Sequence, residues 1–295
     1  MAARPGEDRT AAPLETEDST GDAANEERTS GKAESGLFVG SVEKAFEVLR
    51  ILGTSPIPMG LSEVVKVTAM GKSSAQRFLH TLTALGYVNQ DKETKAYSIS
   101  AQILDLAQSY LGAEGLREKA SHFLRAANLQ TEETINLTLL DRLSVVYLMR
   151  YPGFHQISVD LSIGSKLPAF CTAPGRTILA YMEEVESNWI LEKSDIKAYT
   201  PYTITDKQKI VGTFKQIRRN GYFISNQEAF VGDISVAAPV FNWAGRILAA
   251  VNIAVPTSRW SVKEVAAKLM PIAVRTASEI SAALGHPSSK ALSKG

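Results

Sequence analysis

Counting from Ser73, the residues Gln76, Arg77 and His80 follow three, four and seven positions later, which puts all four on one side of a helix. Ala75, Phe78, Leu79 and Leu82 fall on the opposite side and supply the face that packs inward. The chemistry open to the polar side is the reading of base edges. A glutamine pairs well with adenine, and an arginine with guanine or a phosphate. Lys72, Ser73 and Ser74 stand at the helix start, where backbone amides and the helix dipole favour a phosphate. Taken alone, the same polar stripe suits any solvated helix, so the elements around it decide its meaning.

Other chemistries lack their parts. Gly71-Lys72-Ser73 resembles the end of a phosphate loop, but Lys66 occupies the position that needs the earlier glycine. Gly175-Arg176-Thr177 fails in the same way, with Phe170 at the glycine position and arginine for lysine. No Gly-x-Ser-x-Gly elbow occurs. The four histidines, His80, His122, His155 and His286, are scattered without ligand spacing, and one cysteine cannot complete a structural zinc site. Catalytic residues, metal ligands and cofactors are therefore expected to be absent. A thiol–histidine pair at Cys171 stays open on sequence grounds, although a lone cysteine usually behaves as a small buried apolar residue.

The elements that would position the polar stripe can be traced. Val42, Ala45, Phe46, Leu49 and Leu52 form one apolar stripe of a first helix, with Ser41 as its expected cap. Gly53, Pro56, Pro58 and Gly60 end it, and a short helix is predicted over 62–67 with Ser62 as cap. Thr68-Ala69-Met70-Gly71 then forms a turn, with glycine where a helix-turn-helix often has it. The third helix is predicted over 73–85 and stopped by Gly86. Two short strands at 87–90 and 96–99, joined by a polar turn from Asp91 to Lys95, complete a winged helix. Lys92 and Lys95 on the wing are placed to reach flanking phosphates or the minor groove. Residues 37–100 carry seven basic and five acidic side chains, so one copy would bind DNA weakly. At least a dimer on two half-sites is expected.

The chain has 295 residues, enough for two folded domains at roughly 100–200 residues each. Of its 32 basic and 31 acidic residues, four and nine fall in the first 36, leaving the remainder with a surplus of six positive charges. That first segment holds Leu14 as its only large aliphatic apart from Met1, and it is read as a disordered acidic tail. No apolar run reaches the roughly 18 residues of a membrane span, no signal peptide opens the chain, and Cys171 has no internal disulfide partner. A cytoplasmic protein without membrane contact is expected.

Residues 101–114 read as a linker helix rich in apolar residues (Ile103, Leu104, Leu106, Ala107, Tyr110, Leu111), and Gly112 and Gly115 mark a boundary. Beyond it, a helix is predicted over 116–130. Strands are predicted over 134–140, 144–150 and 156–162, and helices from about 172, over 183–193 and over 206–220. Two further strands at 235–241 and 246–255 and a last helix over 262–284, kinked at Pro271, complete the reading. Strands arrive in hairpins, so the fold class is α+β, with an antiparallel sheet flanked by helices. The domains are then 1–36, a tail; 37–100, a winged helix-turn-helix; 101–114, a linker; 115–288, a second domain; and 289–295, a C-terminal tail.

The order of these motifs resembles the IclR family of bacterial transcriptional regulators. Ser41 through Leu49, Lys72-Ser73-Ser74-Ala75-Gln76-Arg77-Phe78-Leu79 and Leu85-Gly86-Tyr87-Val88 are similar to its DNA-binding half. Leu167 through Arg176, Gly221 through Glu228, Ile234 through Val240 and Gly245-Arg246 through Val255-Pro256 are similar to its effector half. The resemblance spans about residues 37–285. It implies a GAF-like effector domain, homodimers or homotetramers, and operator DNA as partner. It also implies repression or activation of a catabolic operon under control of a small carboxylate, aromatic acids among the candidates.

Through those motifs the family's effector pocket maps onto Ala173, Pro174, Ser225, Asn226, Ser235, Asn252 and Ala254. Ser225 stands where the family commonly has an acid, Ser235 where a cysteine is frequent, and Ala254 where a small polar residue is usual. Thr172 suits a helix cap and Pro174 a first helical turn, whose amides would bind a carboxylate. Ser235 and Asn252 would add neutral hydrogen bonds. Two rival readings stay open here: an enzyme with a winged helix appended, and an interaction module whose winged helix binds protein.

Overall fold

The computed structural model describes residues 37–106, 115–155 and 161–287, and they divide into two compact units after Leu106. The expected tails at 1–36 and 289–295, most of the linker helix (101–106 are described, with 103–106 as helix) and most of the strand at 156–162 lie outside the described residues.

The first unit holds helices α1 (Gly40–Thr54), α2 (Leu61–Thr68) and α3 (Lys72–Ala84), then the antiparallel strands β1 (Val88–Gln90) and β2 (Tyr97–Ile99). Met59 adds a third rung to the wing by exchanging backbone hydrogen bonds of 2.9 and 2.8 Å with Tyr97. Val48, Leu52, Val64, Met70, Ala75, Leu79, Leu82 and Val88 make the core. The helix starts differ from the sequence reading. Val39 and Gly60 are the residues before α1 and α2, and neither Ser41 nor Ser62 caps. At α2 the Glu63 carboxylate accepts the Gly60 N–H at 2.6 Å, which removes the need for a serine cap. In the turn between α2 and α3 it is Ala69, at φ 51°, that takes the left-handed conformation, while Gly71 precedes α3 with ordinary φ.

The second unit is built on six antiparallel strands in the order β5-β4-β3-β8-β7-β6. These are β3 (Thr134–Asp141), β4 (Ser144–Tyr151), β5 (Lys166–Pro168), β6 (Phe223–Asn226), β7 (Asp233–Phe241) and β8 (Ile247–Pro256). Strands β5 and β6 are too short to show an alternation and were not expected from the sequence. Helices α4 (Leu116–Thr131) and α8 (Met270–Ala283) cover one face, where Ile135, Leu137, Ile234, Val236, Val251 and Ile253 form the main core. Helices α5 (Ala173–Tyr181) and α7 (Lys207–Asn220) pack at the other, and α6 (Glu184–Lys193) lies between them in sequence. Before α8 the chain makes one π-helical stretch, Val265–Leu269, which ends two residues before Pro271. A wider turn there accommodates a proline that lacks an N–H and crowds the preceding turn. No helix among the described residues is long and apolar enough to cross a membrane.

Candidate functional site

In the first unit, α3 buries Ala75, Leu79 and Leu82 and leaves Ser73, Gln76, Arg77 and His80 exposed together. Lys72 is exposed and Ser74 half-buried at the same end. The α3 face therefore offers two donors of fixed shape, Gln76 and Arg77, on a rigid element. The wing is held by Asp91, whose carboxylate accepts the Thr94 N–H at 2.7 Å, the Thr94 hydroxyl at 2.8 Å and the Glu93 N–H at 3.0 Å. Those bonds, the Thr94 amide foremost, hold the Asp91 carboxyl below the usual range. Lys92 and Lys95 project from this turn, both exposed, Lys95 at φ 59°. All eight residues expected to meet DNA thus lie on α3 or the wing, and none belongs to the core.

In the second unit a cavity of about 210 Å³ opens between the sheet and the start of α5. Ala173, Pro174, Ser225, Ser235, Asn252 and Ala254 all line it; Asn226 does not, and is exposed. The reason is strand alternation: Ser225 and Asn226 are neighbours on β6 and point to opposite faces. The register explains how the others meet. Ser225 pairs with Ser235, Ser235 with Ala254, and Ala254 with Thr134, so one row crosses four strands. In the adjacent row Ala237, Asn252, Asn136 and Arg150 stand side by side.

Sequence reading missed Asn136, Tyr147, Arg150 and Asp233, which also line the cavity. Tyr147 and Arg150 are three residues apart on one strand and would face opposite ways in a regular ladder. A bulge lets Met149 pair with Leu137 and Tyr147 with Thr138, so Leu148 is the extra residue and both polar side chains reach the cavity. No pattern in the sequence announces that bulge. Arg150 donates to the Asn136 Oδ1 at 3.3 Å. At the rim, the buried Glu133 carboxylate accepts three bonds, two from Arg259 at 2.7 Å each and one from the Trp260 indole at 2.9 Å. Beside them Leu161, Leu167 and Phe230 give the cavity apolar wall.

The roof is set by α5. The Thr172 hydroxyl caps the helix by accepting the Gly175 N–H at 3.3 Å, and Pro174 occupies the first turn, as the sequence led one to expect. Gly175 is required by packing: a Cβ there would come within 2.2 Å of the Ala169 carbonyl oxygen. Cys171 is buried and its thiol is pushed up to about 12 by that burial, which removes thiolate chemistry at neutral pH. Among the described residues no group of histidine, cysteine, aspartate and glutamate side chains is placed to hold a metal.

Burial pushes the Asp233 carboxyl up to about 7, against the opposing pull of Arg150. The unfolded chain releases that proton near 3.8, so between these values the folded state holds the extra proton. Stability of the wild type should accordingly fall as pH rises from about 4 to about 7, and stay low above. Asp233→Asn should lift that penalty, by up to about 4 kcal/mol at pH 8 and by little at pH 4. Thermal melts across pH check it; equal effects of the substitution at both pH values would contradict the assignment.

Comparison with known proteins places these features. A family model described as the C-terminal part of the bacterial transcriptional regulator IclR matches residues 108–282, and one described as the IclR helix-turn-helix domain matches residues 41–92. The HTH-type transcriptional regulator KdgR of Escherichia coli (strain K12) is 33% identical over 248 residues, covering 84% of this chain and 94% of its own. The Pca regulon regulatory protein of Pseudomonas putida is 30% identical over 236 residues, 80% of each chain. The crystal structure of the Thermotoga maritima IclR superposes with a TM-score of 0.71 at 28% identity, covering 84% of this chain and 99% of that one.

Proposed function

The chain belongs to the IclR family of bacterial transcriptional regulators, and from that premise we propose that α3 and the wing bind operator DNA while a small organic acid in the cavity of the second unit switches the operator affinity or activity. The observation that carries the effector half of this reading is the cavity itself: six residues from α5, β6, β7 and β8, scattered from position 173 to 254, line one space of about 210 Å³. The volume suits a small metabolite. The acid group is drawn by the first turn of α5 and by the arginines at 150 and 259, and the apolar wall of Tyr147, Leu161, Leu167 and Phe230 suits an aromatic acid.

The roles assigned on α3 follow their exposure and chemistry. Gln76 and Arg77 read base edges, Ser73 and His80 support them, and Lys72, Ser74, Lys92 and Lys95 hold the phosphate backbone. Two copies on two half-sites give the affinity that one modestly basic copy lacks, so the working form is a homo-oligomer controlling a catabolic operon. The effector acts by differential affinity for two arrangements of the subunits, which is all a ligand needs to move the equilibrium.

The test is a mobility shift on a duplex selected from a random pool, with and without a panel of aromatic and aliphatic acids. One acid should change the shifted fraction. Ser235→Leu, which fills the cavity, should keep the shift and lose the response to that acid. An unaltered response in this variant would remove the proposed pocket, and a panel without effect would remove the acid.

A further inference from the structure

The charge of the chain is unevenly spread. Residues 10–27, which lie outside the described residues, carry Glu15, Glu17, Asp18, Asp22, Glu26 and Glu27 and no lysine or arginine. The surface of α3 and the wing has the opposite character. Lys72, Arg77, Lys92 and Lys95 are exposed there, and none of them enters an ion pair among the described residues. No acid stands on α3. Asp91 is turned into its own loop and Glu63 toward the Gly60 N–H, which leaves Glu93 as the exposed acid of the wing with no bond to its carboxylate among the described residues. Chain length lets the two oppositely charged stretches meet. From Leu37 the chain can reach back at most about 35 Å to Glu27 and about 75 Å to Glu15. The α3 helix, at 13 residues, is about 20 Å long. A domain of this size is roughly 30 Å across.

We infer that residues 10–27 dock on the α3 and wing surface of their own chain and occupy the cations that would otherwise hold DNA phosphates. A run of like charges next to a folded domain suits such a contact, and carboxylates meet lysine and arginine as phosphates do. Because the strip belongs to the same chain, its local concentration is in the millimolar range, so ion pairs that are weak one by one suffice. A duplex displaces it by bringing more charge to the same side chains. The brake acts equally on every duplex, so a site that also offers base contacts keeps usable affinity while weakly held DNA is shed. This inference rests on the DNA-binding reading of α3 and the wing and adds a competitor to it.

The experiment compares the full chain with a variant whose six carboxylates become amides: Glu15→Gln, Glu17→Gln, Asp18→Asn, Asp22→Asn, Glu26→Gln and Glu27→Gln. Anisotropy titrations use the selected duplex. At about 50 mM salt the variant should bind about tenfold tighter, the size of a few exposed ion pairs. At about 300 mM the two should bind nearly alike, because screening releases the tail. Equal affinities at low salt, or a gap that persists unchanged at high salt, would overturn the brake. Carbodiimide coupling, which joins a carboxylate to a lysine in contact with it, locates the tail. Without DNA, acids of residues 15–27 should couple to Lys72, Lys92 or Lys95, and adding the duplex should suppress those products. Coupling to lysines of the second unit instead would overturn the site. In an oligomer assembled from isotopically labelled and unlabelled chains, products that only join one kind to the other would overturn the contact within one chain. Failure of both proteins to bind any duplex would overturn the DNA reading and the brake with it, even where the coupling products show the tail docked.

Discussion

Arg77→Ala is expected to weaken binding to the selected duplex by about tenfold to a hundredfold for each copy engaged, with no loss of thermal stability. The guanidinium is exposed on α3 and belongs to none of the core contacts that hold the helix, so its removal leaves the fold intact. The size of the effect is that of one arginine contact to a base or a phosphate, about 1–3 kcal/mol. Anisotropy titrations over a range of salt separate the two. If Arg77 reads guanine, affinity falls for the selected duplex far more than for a scrambled one. If it holds a phosphate, affinity falls for both, and the slope of log affinity against log salt drops by about one per copy. Unchanged binding to every duplex would mean that the winged helix serves a protein partner. Gln76→Ala on the same face offers a second reading of the same surface, with relaxed preference at adenine as the expected sign.

How much of this was legible in the sequence depends on which physical rule placed each residue. The α3 face was readable because it needs only the helical period: positions 73, 76, 77 and 80 cannot diverge once the segment is helical. The wing followed from turn chemistry around Asp91. Caps were less legible, because Glu63 reaches back to Gly60 and makes the neighbouring serine redundant. The cavity was reached through family resemblance, and six of its residues came with it, but not the polar row beyond them. Asn136, Tyr147 and Arg150 depend on which strand lies beside which and on a bulge that exposes its logic only when β3 and β4 are paired. Asn226 shows the reverse: adjacent to Ser225 in the motif, it is turned away by the strand period of two. Strands β5 and β6, at three and four residues, were too short for any periodicity to register. Glu133 and Arg259, over a hundred positions apart, could not have been paired before the sheet order was known.

Glu228→Ala is expected to cost about 3–5 kcal/mol of stability, the largest single effect on the fold. Arg176 is fully buried, and its guanidinium meets the Glu228 carboxylate through both terminal nitrogens, Nη1 donating at 3.1 Å. Its Nε donates to the Phe170 carbonyl at 2.7 Å, and its charge sits 5.2 Å from the centre of the Phe223 ring. Remove the carboxylate and a cation remains in the interior with one carbonyl and one ring to offset its lost hydration. The double substitution Arg176→Met with Glu228→Leu should recover much of the loss, since neither charge then remains to be desolvated. Urea melts of Arg176→Met, Glu228→Leu and the double give the coupling, expected at about 2 kcal/mol or more. Additive losses would show that the two residues act separately. The pair also has a consequence for the cavity. Glu228 opens the loop whose residues 229–232 form one wall, its backbone carbonyl accepts the Thr203 hydroxyl at 2.6 Å, and Arg176 lies one turn into the helix that forms the roof. The Gly175-Arg176-Thr177 run, which fails the phosphate-loop pattern in the sequence, thus has a different use: its glycine lets α5 approach the Ala169 carbonyl, and its arginine ties roof to wall. Weakened effector binding in Glu228→Ala, measured at a temperature where the variant is still folded, should accompany the loss of stability.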